Sequence, residues 1–237
     1  MEKSECQSKP IFLYIVRHGK TVFNLEAKVH GWTDSPLSEL GISQAEKVGE
    51  GLKDIVFNTA YSSDIKRAAD TAKFILSVNK NEKPELQEVF GLREWYYGGY
   101  EGVDEVNMWV PLFEEKNMEF KLDRSNWEEF TALTTDKEIA DLIARNDPAK
   151  KAESYDDILK RAKEGIDFLI KDTAEKGGGN ALVVSHGNII PTILYLYAPD
   201  EYNGETVPNC SLTILKIENG KISLEKVGDT SFIDNQQ

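Results

Sequence analysis

Cysteine, long apolar runs and positive charge are all scarce in this chain, and each shortage argues against a class of protein. Two cysteines, Cys6 and Cys210, form neither a disulfide framework nor a metal knuckle. No stretch approaches the roughly 20 apolar residues of a membrane span, and the polar residues 1–10 lack the apolar core of a signal peptide. Lys and Arg number 28 against 41 Asp and Glu, for a formal net charge of −13. That balance argues against nucleic acid or an anionic membrane as a partner. It also means that an anionic substrate needs a local island of positive charge. The expectation is a soluble protein of the cytoplasm.

What is present suffices for a core. The 237 residues are 40% hydrophobic and 10% aromatic, enough for one domain over 1–237, with or without an insertion. Residues 11–16 and 181–185 are apolar throughout, the pattern of strands buried on both faces of a parallel sheet. Residues 57–61 and 86–89 are shorter strand candidates. Apolar residues recur at helical spacing over about 40–55, from Ile65 to Leu76, and from Ile158 to Ile170. Gly177-Gly178-Gly179 ends the last of these, and 188–197 reads as a short helix. Residues 17–37 are loop-like, with Gly31 and Pro36. Residues 210–217 and 221–227 flank Asn219-Gly220 and read as a closing hairpin.

Residues 101–157 differ in character, with 16 acidic against 7 basic side chains, a net of −9. Thr135 with Glu138, and Ser125 with Glu128, fit the reciprocal capping pattern of helix starts. The stretch reads as a helical insertion, either a lid near a site or a solvated acidic face. The fold class expected is α/β, a three-layer sandwich with a mostly parallel central sheet and a helical insertion near the active site.

Two of the three histidines, His18 and His186, each follow a buried strand and precede a glycine. Residues past the carboxyl ends of parallel strands form the crevice where such sheets bind ligands, so two imidazoles 168 positions apart are expected to meet there. Arg17 offers a planar fork of donors beside His18, and a neutral imidazole is a good nucleophile near neutral pH. Arg67 opens a helix after a strand, where free amides favour an anion. Glu94 stands among Trp95, Tyr96, Tyr97 and Tyr100, where loss of hydration favours a carboxyl that holds a proton to donate. Singly, each has a plainer reading: a packed strand-end histidine, a solvated helix charge, a surface glutamate. His30 reads as a site histidine, a metal ligand or a loop residue.

Together these residues carry a resemblance. Arg17-His18-Gly19-Lys20-Thr21-Val22-Phe23-Asn24, His30-Gly31-Trp32-Thr33-Asp34 and Leu37-Ser38-Glu39-Leu40-Gly41 resemble the opening of the histidine phosphatase superfamily, the phosphoglycerate-mutase-like group. Ser62-Ser63-Asp64 with Arg67, Leu92-Arg93-Glu94 and Ser185-His186-Gly187 follow in the family's order, so that the match covers roughly 11–102 and 181–216. The resemblance implies a nucleophile at His18, a phosphate pocket of Arg17, Arg67 and His186, and a proton donor at Glu94. It implies substrate contacts at Asn24, His30, Gly31 and Gly187. It implies no metal and no other cofactor, and the partner expected is a small phosphate ester.

The reading favours a phosphomonoesterase working through phosphohistidine. Lys20-Thr21 stands where the mutases of this family usually carry Glu-Ser, a form more similar to the phosphatase branch, and residues 101–125 hold only Lys116, Lys121 and Arg124, without an arginine pair to grip a bisphosphate. Lys20 departs from the acidic or amide residue common there. Trp95, Tyr96, Tyr97, Tyr100, Trp109 and Phe113 form either an apolar wall for an organic ester or the insertion's own core. A cofactor-dependent phosphoglycerate mutase and a non-catalytic binding module are the alternatives.

Overall fold

The computed structural model describes residues 9–234. Cys6 and most of the polar leader read over 1–10 lie outside them. Strands β1 (Ile11–Arg17), β2 (Phe57–Ser62), β3 (Leu86–Glu88), β4 (Gly179–Ser185), β5 (Leu212–Glu218) and β6 (Lys221–Asp229) form one sheet in the order β3-β2-β4-β1-β5-β6. β3, β2, β4 and β1 pair in parallel, and only the β5 pairings are antiparallel.

Strand periodicity explains the two cores. In β4, Ala181 and Val183 face one cluster while Leu182 and Val184 face the other, all fully buried. One cluster is completed by α2 (Glu39–Gly51), α3 (Lys66–Ser77) and the short α9 (Ser231–Asp234). The other is completed by α7 (Tyr155–Glu175), α8 (Ile189–Tyr197) and three helices of the acidic stretch, α4 (Val106–Glu114), α5 (Trp127–Ala132) and α6 (Asp136–Asn146). The fold is therefore the α/β sandwich that the pattern implies.

Four local expectations change. The loop over 17–37 contains one helical turn, α1 (Val22–Leu25), started by reciprocal capping between Thr21 and Asn24. The helix expected over 40–55 stops at Gly51, because the Asn79 side chain takes the carbonyls of Leu52 and Ile55 at 3.2 and 3.0 Å and turns the chain there. Ser125 does not cap α5. Asn126 stands at the cap instead, so Glu128 falls a residue too early to reach back. Gly179 belongs to β4, not to the helix end. Thr135 with Glu138 does form the capping box, and Asn219-Gly220 makes the hairpin turn with φ of 52° and 76°.

The aromatic set divides in favour of packing. Trp109 and Phe113 sit inside the helical stretch, with Phe113 stacked on Phe130 at 4.0 Å and Trp109 edge-on to Trp127 at 4.8 Å. Trp95, Tyr97 and Tyr100 are buried as well. Only Tyr96 remains at a rim, stacked on Trp32 at 4.6 Å. The buried carboxylate of Asp147 accepts the amides of Gly99, Ala149, Lys151 and Ala152 at 2.6–2.9 Å and ties α6 to the segment that follows Glu94. Because Phe113 is fully enclosed, Phe113→Ala is expected to cost about 3–5 kcal/mol of stability, measured by urea unfolding. A loss under about 1 kcal/mol would mean that this aromatic core is not closed.

Candidate active site

The parallel register pairs Arg17 of β1 with Ser185 of β4, so the residues that follow leave the sheet side by side. His18 N donates to Ser185 O at 2.9 Å. The His18 and His186 rings lie 5.1 Å apart, edge to face, and both are buried. The meeting of two distant imidazoles is thus a direct consequence of β1 and β4 being neighbours.

His18 Nδ1 lies 2.8 Å from Gly19 O. A carbonyl cannot donate, so Nδ1 carries the proton and Nε2 keeps its lone pair. Arg67 Nε donates toward that Nε2 at 3.3 Å. Burial, then Arg67 and Arg17, hold the His18 pKa well below the usual imidazole value, so the ring is neutral at physiological pH.

Arg67, in the first turn of α3, is itself buried. Its guanidinium donates to the carbonyls of Thr33 at 3.0 Å, His30 at 3.1 Å and Gly31 at 2.6 Å, with Asp34 3.6 Å away. Burial lowers its pKa to about 10, against the pull of Glu94 and Asp34, and it stays cationic at neutral pH. The loop that supplies those carbonyls is shaped by the Glu101 carboxylate, which accepts from Gly31, Trp32 and Thr33 amides at 2.8–3.0 Å. Gly31 must be glycine, since a Cβ there would stand 2.0 Å from Trp95 O. His30 and Gly31, expected at the substrate, thus hold Arg67 through their backbone. Both His30 ring nitrogens are engaged, Nδ1 with Lys28 O at 3.1 Å and Nε2 with Thr21 Oγ1 at 3.0 Å. Burial and Arg67 lower its pKa to about 3.

Arg17 ends β1 and donates from Nη1 to Val207 O at 2.8 Å. Gly187 lets it approach, as a Cβ there would lie 3.0 Å from the guanidinium carbon. Burial lowers the Arg17 pKa, opposed by Glu94 and reinforced by Arg124. Arg17 Nε and both ring nitrogens of His186 are buried with no hydrogen-bond partner. Burial first, then Arg67, holds His186 neutral.

Glu94 is buried beneath the start of α8. Its Oε1 accepts from the amides of Trp95, Asn188 and Ile189 at 2.9–3.3 Å, and Oε2 from Asn188 alone at 3.0 Å. Asn24 uses its carboxamide oxygen on Thr21 N at 3.1 Å, which leaves its NH2 as the end that can meet a ligand. The site therefore gathers Arg17, His18, Arg67, Glu94 and His186. Buried N–H donors with no protein acceptor, next to a lone pair on His18 Nε2, suit a tetrahedral oxyanion and its transfer to nitrogen.

Sequence reasoning missed several supports. Thr71 Oγ1 accepts from Gly19 N at 3.0 Å, and Asn209 Nδ2 donates to His18 O at 3.0 Å. The amides of Asn188 and Ile189 directly follow the His186-Gly187 pair and could have been sought there. Nothing local to Asn209 announces its role. No group of three or more His, Cys, Asp or Glu side chains converges as a metal ligand set among the described residues. Among them no helix is long and apolar enough to cross a membrane.

Comparison with known proteins gives concordant matches. The family model described as "Histidine phosphatase superfamily (branch 1)" matches residues 13–230. A crystal structure described as phosphoglycerate mutase from Bacillus anthracis superposes with a TM-score of 0.86 and 36% identity, covering 96% of each chain. A broad-specificity phosphatase of Saccharomyces cerevisiae is 25% identical, over 94% of this chain and 87% of its own. A metal-independent phosphoserine phosphatase of Arabidopsis thaliana is 26% identical, over 99% of this chain and 88% of its own.

Neutral buried histidines make stability depend on pH. An imidazole with a lowered folded pKa binds its proton only when unfolded, so stability is full above the usual value near 6.5 and falls as pH drops toward the folded value. For His30 that window runs from 6.5 down to about 3. Urea unfolding of His30→Gln should lose less stability between pH 6 and 4 than wild type, by about 1.4 kcal/mol per pH unit. Parallel curves would show that His30 does not titrate in this way.

Proposed function

The chain belongs to the histidine phosphatase superfamily, and from that premise we propose that it is a phosphomonoesterase acting through phosphohistidine on His18. The observation that carries the proposal is the His18 Nε2 lone pair, fixed by the Nδ1 bond to Gly19 O and set beside Arg17, Arg67 and His186. In the first step Nε2 attacks phosphorus and the ester P–O bond breaks. The positive charge that develops on the ring is stabilised through Nδ1–H and the Gly19 carbonyl. Arg17, Arg67, His186 and the Asn24 amide take the phosphoryl oxygens. The leaving oxygen takes a proton from Glu94 Oε2, the oxygen with a single amide donor. In the second step Glu94 accepts a proton from water, the water oxygen attacks phosphorus, the P–N bond breaks and His18 returns neutral.

Hydrolysis rather than mutase transfer is supported by the state of the cations in the acidic stretch. Lys116 pairs with Glu138 at 3.7 Å and Arg145 with Glu115, which occupies both. Arg124, tethered to Glu105, is then a single cation where a bisphosphate would call for a pair. The mutase reading has one specific support, the 36% identity to the Bacillus anthracis protein described as a phosphoglycerate mutase.

The substrate class is read from Arg124. It stacks over Trp127 at 4.7 Å and is tethered to Glu105, and its charge is a lesser contributor, after burial, to the lowered Arg17 pKa. A phosphate ester that carries a carboxylate fits a second cation at that place, and the phosphoserine phosphatase of Arabidopsis is a relative with such a substrate in its name.

Two measurements test these readings. Wild type should release phosphate from an aryl phosphate and leave an acid-labile phosphoprotein on rapid quench, and His18→Ala should do neither. Faster interconversion of phosphoglycerates in the presence of 2,3-bisphosphoglycerate than release of phosphate would instead establish the mutase. Activity in His18→Ala equal to wild type would leave the non-catalytic alternative. Arg124→Ala should raise KM for phosphoserine or 3-phosphoglycerate about tenfold, equivalent to ~1.4 kcal/mol, with KM for the aryl ester nearly unchanged. Equal changes on both would remove Arg124 from substrate selection.

A further inference from the structure

The backbone that carries Glu94 is held by a buried ion pair that reaches none of the reacting atoms. Arg161 of α7 binds Glu153 through Nε at 2.7 Å and Nη2 at 2.8 Å, and the two side chains are 7% and 12% exposed. The remaining donors of the same guanidinium go to the acid segment. Nη1 donates to Arg93 O at 2.7 Å and reaches Gly91 O at 3.4 Å, and Nη2 donates to Glu94 O at 2.8 Å. Glu153 grips the far side of Glu94: its Oε2 accepts from Tyr96 N at 2.9 Å, and its own N donates to Tyr96 O at 3.0 Å. Trp32 Nε1 adds a second donor to Glu94 O at 2.9 Å.

Stability alone does not call for this arrangement, since an apolar pair of similar volume often serves a core as well as a buried ion pair. Its product is geometric. Carbonyls on both sides of one residue are fixed by a rigid planar fork, and the carboxylate of that residue is fixed separately by α8. We infer that Arg161, held by Glu153, is the positioning residue for the proton donor, and that it sets the distance between Glu94 Oε2 and the leaving oxygen. The inference rests on the reading of Glu94 as the acid. Lysine cannot replace arginine here, because one ammonium cannot span Glu153 and three carbonyls.

The test is a leaving-group series. Wild type, Glu94→Gln, Arg161→Lys, Trp32→Phe and the double variant Glu94→Gln/Arg161→Lys are assayed on esters running from good aryl to poor alkyl leaving groups. Arg161→Lys should lower kcat on the poor leaving group about a hundredfold, the scale of a misplacement near 1 Å, and on the best aryl ester by less than about threefold. A general loss of packing would lower both alike. The double variant should be no steeper across the series than Glu94→Gln alone, because one function is removed twice. Trp32→Phe keeps an aromatic ring against Tyr96, Phe90 and the Arg93 guanidinium and removes the donor to Glu94 O, so it should show a smaller loss of the same kind even if Arg161→Lys fails to fold. A uniform loss across the series in Arg161→Lys or, failing that protein, in Trp32→Phe overturns the inference. Glu94→Gln with an unchanged series instead overturns the acid reading beneath it.

Discussion

A buried guanidinium, Arg67, and a half-buried one, Arg17, beside three imidazoles set the terms for the rest of this structure. A buried cation is costly unless neighbouring dipoles or charges answer it. Arg67 is answered mainly by three backbone carbonyls, and Arg17 by one. Carbonyls neutralise without cancelling the charge as a close carboxylate would. The pocket thus keeps its positive field, in a protein whose net charge is −13. The same field and the same burial keep His18, His30 and His186 unprotonated. The condition that stores positive potential for an anion is also the one that preserves a lone pair on His18.

Carboxylates act one layer further out, as organisers of loops. Glu101 gathers the four amides of Gly31, Trp32, Thr33 and Tyr97, and turns the carbonyls of His30, Gly31 and Thr33 toward Arg67. Asp147 gathers four and joins the end of α6 to the turn at Gly99. Glu153 works through Arg161. Each converts a segment without regular structure into a rigid support, because several amides must converge on one point at once. Part of the acidic surplus that looks like a solvated face from composition is therefore inside the molecule, at the joints around the site.

Much of the fold was legible because burial imposes period. The runs at 11–16 and 181–185, short and apolar throughout, read as strands covered on both sides, and the apolar spacing of α2, α3 and α7 as helices packed by one face. Arg17, His18, Arg67, Glu94 and His186 each have a plainer reading when taken singly, and it was the order of separated motifs resembling one family that singled them out. The end of α2 is set by Asn79, and the choice between wall and core for the aromatic set by packing of α4 against α5. In both cases a residue outside the local window makes the decision. The shifted cap of α5 is instead local, set by a turn in which Trp127 N donates to Arg124 O.

The sequence by itself determined which residues have the chemistry and which stretches must be buried, since side-chain type and hydrophobic period are local properties. Only the tertiary structure decided that β4 lies beside β1, that His18 presents Nε2, that His30 and Gly31 serve Arg67 through their carbonyls, and that the amides of residues 188 and 189 hold a carboxylate from residue 94. Apart from the bond of His18 to its neighbour Gly19, those facts depend on hydrogen bonds between segments far apart in the chain, and backbone groups, identical at almost every residue, leave no trace of their partners in the order of side chains.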